Sequence, residues 1–211
     1  MADSRLLAVL GLIVVAALVW SGIAPYERGT WVLEVAPAVI ALPILFFTRR
    51  RFPLTTLLYV LIAVHALVLI FGGAWTYARV PFGFWLQDLM HLGRNPYDKI
   101  GHFMQGLVPA MLAREILLRR AYLTSKPMAA FLSTCVAMAI SAVYELIEWW
   151  TALAAGGGAV EFLGTQGDPW DTQSDMFFAL IGAMVGVVLL ARWHDRQMRR
   201  VEDATTRVLT D

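Results

Sequence analysis

The sequence predicts an all-α protein, a bundle of about six transmembrane helices whose two ends both lie on the cytoplasmic side. Three observations lead to this fold class. Of the 211 residues, 59% are hydrophobic and only 16% are charged, whereas about a quarter of the residues in a soluble domain are charged. The apolar residues form long runs, which is typical of segments that cross a bilayer. The basic residues are unevenly distributed among the loops, so the direction of each crossing can also be predicted.

Each predicted helix is a run of roughly 20 predominantly apolar residues, the length that crosses the hydrocarbon of a bilayer. The first run follows Arg5 as a signal peptide would, but the stretch from Leu6 to Trp20 is at the long end of such a segment. We therefore expect an uncleaved helix, and one integral membrane domain over residues 1–211. The runs cover approximately residues 6–24, 31–48, 54–73, 99–118, 128–150 and 171–192.

The distribution of Lys and Arg predicts the orientation of these helices, because short cytoplasmic loops carry an excess of basic residues. With the amino terminus inside, thirteen of the seventeen basic residues fall on the cytoplasmic side. The other four are Arg28, Arg79, Arg94 and Lys99. Both termini are therefore expected in the cytoplasm, and the fourth and sixth helices are expected to enter the membrane from outside.

Composition and motifs also narrow the function. The net charge is +1, and the sequence contains no phosphate-binding loop, no nucleotide fingerprint and no paired cysteines of the zinc-binding type. A nucleic-acid partner is therefore not indicated, and the expected partners are membrane lipids. The single cysteine excludes an intramolecular disulfide.

Acidic residues and one histidine gather where the fourth, fifth and sixth runs meet the outer face. The fourth and sixth runs open in the same way, with a cap residue, a proline expected at the first helical position and an acid two residues later (Asn95-Pro96 and Asp168-Pro169). A second polar residue follows each acid at i+4, on the same helix face. The fifth run ends with two glutamates. These residues are Asp98, His102, Glu145, Glu148, Asp171 and Asp175.

Helix capping explains part of this pattern, because an acid in the first turn complements the helix dipole. It does not explain His102 or Asp175, which lie one turn deeper. It also does not explain Glu145 and Glu148, because acids at a helix carboxyl terminus oppose the dipole. Small residues on the same faces predict close helix packing below the cluster. They are Gly106, Ala110, Ala113, Ala179, Gly182, Ala183 and Gly186.

Five carboxylates near one lysine and one histidine leave an excess of negative charge. Three interpretations are open: a bound cation, protonated carboxylates, or a purely structural network. A histidine with carboxylates suits Zn²⁺, Mn²⁺ or Fe²⁺, and carboxylates alone suit Mg²⁺ or Ca²⁺. We interpret His65 as a helix-packing residue, and Arg114, Glu115 and His194 as polar residues on the inner side.

The leading hypothesis is a metal-dependent enzyme that acts on a lipid or lipid-linked substrate at the outer leaflet. The residues assigned to the metal are His102, Glu148, Asp171 and Asp175. Asp98 is expected to orient His102, and Glu145 to act as the general base in catalysis. Two alternatives stay open: a cation- or proton-coupled transporter, and a membrane scaffold without catalytic activity. The apolar character below the cluster argues mildly against transport.

Three blocks of sequence, residues 94–103, 144–150 and 162–176, closely resemble the YjdF family of uncharacterised bacterial inner-membrane proteins. The resemblance covers nearly the whole chain and is strongest over residues 79–197. It implies an inner-membrane location and several helices, and it brings no known activity.

The chain is also similar, more loosely, to VanZ-like membrane proteins, which implies a link to the cell envelope. It departs from their pattern at Glu148, where a glutamine is expected, and it lacks an arginine ahead of the aspartates. The matching residues are Asp98, Lys99, His102, Glu145, Asp171, Asp175, Gly182 and Gly186.

Overall fold

A computed structural model describes residues 3–155 and 166–210, and all regular secondary structure in these ranges is helical. The predicted all-α fold is confirmed for this part of the chain. The last two α-helices continue one another through a π-helical segment, Val185–Leu190. The α-helices are α1 (Ser4–Ile23), α2 (Arg28–Thr48), α3 (Thr56–Ala74), α4 (Pro81–Met90), α5 (Tyr97–Arg119), α6 (Lys126–Ala155), α7 (Asp171–Met184) and α8 (Ala191–Thr210).

Five helices of the described chain are long and apolar enough to cross a membrane, with α7, the π-helical segment and α8 taken as one. They correspond to five of the six predicted runs. The last helix is longer than predicted, because it continues without a break beyond residue 192. The five candidate spans are Ser4–Ile23, Arg28–Thr48, Thr56–Ala74, Lys126–Ala154 and Asp171–Ala204.

Helix α5 contains the remaining predicted run, residues 99–118, but it is more polar than the five candidate spans. It carries charged residues at both ends. It packs most extensively against α7 and α6 and also against α3, so it lies at the centre of the bundle. This position explains its composition, because polar groups within a membrane bundle are normally directed toward protein rather than lipid.

Helices α1 and α2 lie at the periphery and pack mainly against α3. A small apolar cluster that includes Val14, Val35 and Ile70 joins the three helices. Glu27 caps α2 by accepting hydrogen bonds from the backbone amides of Gly29 (2.8 Å) and Thr30. The hydrogen bonds from Thr30 and Gly29 hold the pKa of Glu27 below its usual value.

Helices α5 and α7 run side by side in the same direction and approach each other closely. A Cβ atom at Gly106 would overlap the carbonyl oxygen of Ala179, and one at Gly182 would overlap that of Phe103. The predicted close packing through small residues is therefore confirmed. It brings the first turns of the two helices together.

Candidate functional site

The loops that lead into α5 and α7 are tied to each other. The Asn95 amide donates a hydrogen bond to Gln166 Oε1 (3.2 Å), and Gln166 Nε2 donates to the Asn95 carbonyl oxygen (3.0 Å). Asn95 Oδ1 accepts from the Tyr97 amide (3.0 Å), and Asp168 Oδ1 accepts from the Trp170 amide (2.9 Å). The predicted cap residues therefore do bind backbone amides. The expected place of the prolines was wrong, because both precede the first helical residue.

His102 lies between two aspartates at the centre of the cluster. Its Nε2 atom is 3.4 Å from Asp98 Oδ1 and 3.6 Å from Asp175 Oδ1. Each of the three residues offers one ligand atom, and these atoms all lie within 4.8 Å of one another. Two ligands bound at 2.0 Å with tetrahedral geometry would be about 3.3 Å apart. The two distances to His102 Nε2 are close to this value, so the trio is a candidate site for a small divalent cation.

Asp171 is engaged in ion pairs beside this trio. Its Oδ1 atom accepts hydrogen bonds from Arg94 (2.6 Å) and Lys99 (2.7 Å). Lys99 also reaches Asp175 Oδ1 (2.5 Å) and lies 3.5 Å from Asp98 Oδ2. The ammonium group therefore occupies a position from which it competes with a cation for Asp175. Of the four predicted ligands, the structure brings His102 and Asp175 together, with Asp98 as the third member.

Arg94 adds a positive charge that the sequence argument did not count. It pairs with Asp171 and, at 3.1 Å, with Asp168. Partial burial opposes the charge on Arg94, but the hydrogen bond from Arg94 to Asp171 and the charges of Asp171, Asp168 and Asp98 outweigh this effect. The pKa of Arg94 is raised above its usual value, so this residue stays positively charged.

The two glutamates of α6 differ in their surroundings. Glu145 is buried, and its Oε1 atom is 3.9 Å from His102 Nδ1. This Oε1 atom has no hydrogen-bond partner among the described residues, because His102 Nδ1 pairs with Gln105 Oε1 at 2.9 Å. Glu148 instead faces a cavity. The structure therefore places Glu145 near the histidine, as its predicted role as a base requires, and it places Glu148 at the cavity wall.

This cavity lies among α2, α3, α5 and α6 and has a volume of about 330 Å³. Sequence reasoning did not assign Glu34, Tyr77 or Tyr144 to the site, and it interpreted His65, which also lines the cavity, as a helix-packing residue. Glu34 had a signal, because it is the single charged residue between Arg28 and Arg49, and an isolated acid in an apolar span is a candidate functional group. The polar lining residues are Glu34, His65, Tyr77, Asp98, His102, Gln105, Tyr144 and Glu148.

A second polar cluster lies at the other end of α5. Glu115 is fully buried and accepts hydrogen bonds from Thr55 Oγ1 (2.8 Å), Arg119 (2.6 Å) and His194 Nε2 (2.8 Å). The guanidinium group of Arg114 donates hydrogen bonds to His194 Nδ1 (3.3 Å) and to Asp195 Oδ1 (2.7 Å). The cluster joins α5, α8 and the start of α3. These residues, interpreted from the sequence as polar residues on the inner side, are joined in one largely buried network.

Long apolar helices around a buried polar cluster define a polytopic integral membrane protein. The chain belongs to the family described as "Predicted membrane protein (DUF2238)", which matches residues 6–196. It is 60% identical over 183 residues to the "Inner membrane protein YjdF" of Escherichia coli (strain K12), a match that covers 87% of this chain and 88% of that protein. No solved structure matches the chain. The resemblance to the YjdF family is thus confirmed, and the relative and the candidate spans together support a multi-pass protein of the inner membrane.

Proposed function

We propose that α5 is a sixth membrane crossing and that both termini lie in the cytoplasm. The helix has 23 residues, which at 1.5 Å per residue extend about 34 Å and match the hydrocarbon thickness. Its charged residues lie toward its ends, next to polar partners from α3, α7 and α8. This topology puts thirteen of the seventeen basic residues on the cytoplasmic side, as expected for an inner-membrane protein.

We further propose that Asp98, His102 and Asp175 bind a divalent cation at the outer face, and that the protein is an enzyme acting on a lipid or lipid-linked substrate. The spacing of the three ligand atoms is the observation that carries this proposal. A bound divalent ion would supply Lewis acidity and a reactive water at neutral pH. The adjoining cavity, walled mainly by apolar residues, suits a membrane substrate.

The other residues of the cluster have supporting roles in this proposal. Asp171, held by Arg94 and Lys99, fixes the position of Lys99 beside the ligands. Gln105 fixes the orientation of His102 through the hydrogen bond to Nδ1, which leaves Nε2 directed at the two aspartates. Glu145 Oε1 lies 3.9 Å from His102 Nδ1. Because this oxygen has no hydrogen-bond partner in the described chain, it is available to accept a proton at the site.

A transport pathway is less well supported. Between Gln105 and Arg114, every residue of α5 is apolar or small, and this stretch separates the two polar clusters by about 13 Å along the helix. A proton or cation would have to cross this layer. The proton-coupled alternative rests on one observation, the buried and unpartnered polar atoms of Glu145 and His65.

The proposal is tested by measuring bound metals, by elemental mass spectrometry, in protein purified in a non-ionic detergent without chelator. We expect close to one divalent ion per chain, lost in His102→Ala and in Asp175→Asn. Asp168→Asn is the matched control, because Asp168 pairs with Arg94 but lies outside the trio. The metal-loaded protein and His102→Ala would then be incubated with inner-membrane lipid extract, and new products sought by lipid mass spectrometry.

Folded samples without metal would contradict the cation site. That result would favour protonated carboxylates and make proton-coupled transport the better hypothesis. Metal without any lipid product would leave a binding or scaffold role for the same site. Retention of metal in both ligand variants would show that the ion is bound elsewhere.

A further inference from the structure

The cavity opens sideways toward the lipid. Helix α2 packs mainly on α3, whereas α6 packs on α5 and α7, and α2 and α6 make no extensive contact with each other in the described chain. The cavity fills this gap, with α3 and α5 as its back wall. Ile44 of α2 and Ile140 of α6 both line it and are both exposed on the outside of the bundle. The opening therefore lies between these two helices, at the depth of the hydrocarbon.

The shape of the cavity suits one lipid chain. Along α5 it extends from Asp98 to Leu112, which is about 21 Å at 1.5 Å per residue. One leaflet of hydrocarbon is about 15 Å thick, half of the bilayer core. The volume of about 330 Å³ is at the small end of the range for ligand pockets, roughly 300–1,000 Å³. The deeper walls are apolar and include Ala41, Leu45 and Val108.

The outer end of the cavity is acidic. It presents the carboxylates of Glu34, Asp98 and Glu148 and the rings of Tyr77 and Tyr144. No Lys or Arg is found among the described residues that line the cavity. Asp98 is already paired with Lys99 and His102, so Glu34 and Glu148 are the carboxylates left to meet a head group. A head group of net negative charge would be repelled by them, whereas an ammonium group, alone or beyond the phosphate of an ethanolamine lipid, would pair with them and with the tyrosine rings.

A buried polar atom also faces this space without a partner. His65 lines the cavity from α3, and its Nε2 atom makes no hydrogen bond with any residue in the described ranges. A buried polar group that lacks a partner is costly, and such groups in native proteins often mark a place where a ligand or water binds. This observation is independent of the acidic cluster.

We propose that the cavity binds a long-chain lipid whose head group carries an ammonium, which enters between α2 and α6. The chain lies along the apolar wall, and the ammonium lies between Glu34 and Glu148, beside the proposed cation site. This site goes beyond the proposed function, because it requires no metal ion. Two sources share the chemistry: a bilayer lipid with an ethanolamine head group, and a free long-chain amine.

The test uses the full chain in nanodiscs made of phosphatidylglycerol, a lipid without an ammonium group. The probe is a hexadecylamine that carries a photoreactive diazirine near the end of its chain, and the labelled residues are mapped by mass spectrometry. Diazirine probes of the same length with a carboxylate or a hydroxyl head serve as controls. We expect the amine to label the cavity walls on α2, α5 and α6 at least fivefold more than either control.

Two kinds of variant locate the site. Ala41→Phe fills the cavity, and its matched control is Ile40→Phe, because Ile40 faces lipid on the same helix. Glu34→Gln with Glu148→Gln removes charge and little volume. We expect Ala41→Phe and the double variant to lose most of the labelling and Ile40→Phe to keep it. The double variant keeps the test valid if Ala41→Phe fails to fold.

Competing lipids distinguish the two sources. If phosphatidylethanolamine added to the nanodiscs removes the labelling, the ligand is a bilayer lipid; if only free hexadecylamine does so, it is a single-chain amine. Equal labelling by the carboxylate probe, or labelling that persists in folded Ala41→Phe, would overturn the proposal. Bound metal would be measured on the same samples. Because none of the substituted residues is a proposed metal ligand, failure of the lipid site and failure of the cation site can be told apart.

Discussion

The close contact between α5 and α7 makes a quantitative prediction about three glycines. A methyl group at Gly182 would overlap the carbonyl oxygen of Phe103 on α5. Unlike a flexible side chain, the backbone of a packed helix cannot change its conformation locally. The two helices would therefore have to separate. At Gly186 the new methyl would meet Met111 Cγ at 3.0 Å, and methionine is flexible enough to move. At Gly11 nothing lies within 4 Å.

The expected costs follow this order. Overpacking of a well-packed interior costs about 1–3 kcal/mol, and we expect Gly182→Ala to reach or exceed about 3 kcal/mol because its contact is with backbone. Gly186→Ala should cost about 1 kcal/mol. Gly11→Ala should be neutral or stabilise by up to about 1 kcal/mol, since alanine is the better helix former. The free energy of unfolding would be measured by denaturation with sodium dodecyl sulfate in mixed micelles.

A second readout connects this contact to the candidate site. Separation of α5 from α7 would move Asp175 away from Asp98 and His102, so Gly182→Ala should also lose bound metal under conditions in which it remains folded. Equal stability of Gly182→Ala and Gly11→Ala would refute the reasoning, since the structure leaves no room for the first methyl group. Loss of stability without loss of metal would show that the site does not depend on this contact.

Two further substitutions test the two polar clusters. Lys99→Met removes the ammonium that competes for Asp175 and repels a bound cation, so metal affinity should rise by roughly tenfold. Arg94→Met is the control, and a fall in affinity in Lys99→Met would contradict the competition. Glu115→Gln leaves the buried Arg119 without its carboxylate, so the free energy of unfolding should fall by about 3–5 kcal/mol. The exposed carboxylate of Glu202 lies 4.0 Å from Arg119 Nε at the edge of the same network, and Glu202→Gln should cost less than about 1 kcal/mol. A loss below about 1 kcal/mol in Glu115→Gln, measured by the same denaturation assay, would mean that the network does not stabilise the fold.

The crossing helices could be predicted from the sequence because length and apolarity are local properties. The candidate spans agree with five predicted runs, and the small residues near Gly106 and Gly182 correctly predicted the contact of α5 with α7. The exact start of α5 and α7 was less predictable, since a proline after a cap residue is compatible with more than one first helical position. The continuation of α7 into α8 could not be foreseen, because a π-helical segment has no distinct sequence pattern.

The candidate site was only partly predictable, because the pairing of charges depends on packing between helices. The spacing of Asp98 with His102 placed them on one face. It could not show that Lys99 and Arg94 would both bind Asp171. Glu34 had a visible signal, an acid in an apolar run, yet its neighbours at the cavity come from three other helices. No local pattern contains that information.

The two polar clusters differ in the way that a stabilising network and a binding site are expected to differ. At the inner end of α5, Glu115 is fully buried and its oxygens are all bound by donors from neighbouring segments. At the outer end, Glu145 and His65 keep unpartnered atoms, and the carboxylates border an open cavity. Buried polar groups are usually paired, and at the inner end the carboxylate is fully paired within the protein, although Arg114 Nε and Arg119 Nε have no hydrogen-bond partner among the described residues. In our proposals the partners of the outer cluster are a divalent cation and a lipid head group, and the lateral opening would admit that lipid from the membrane.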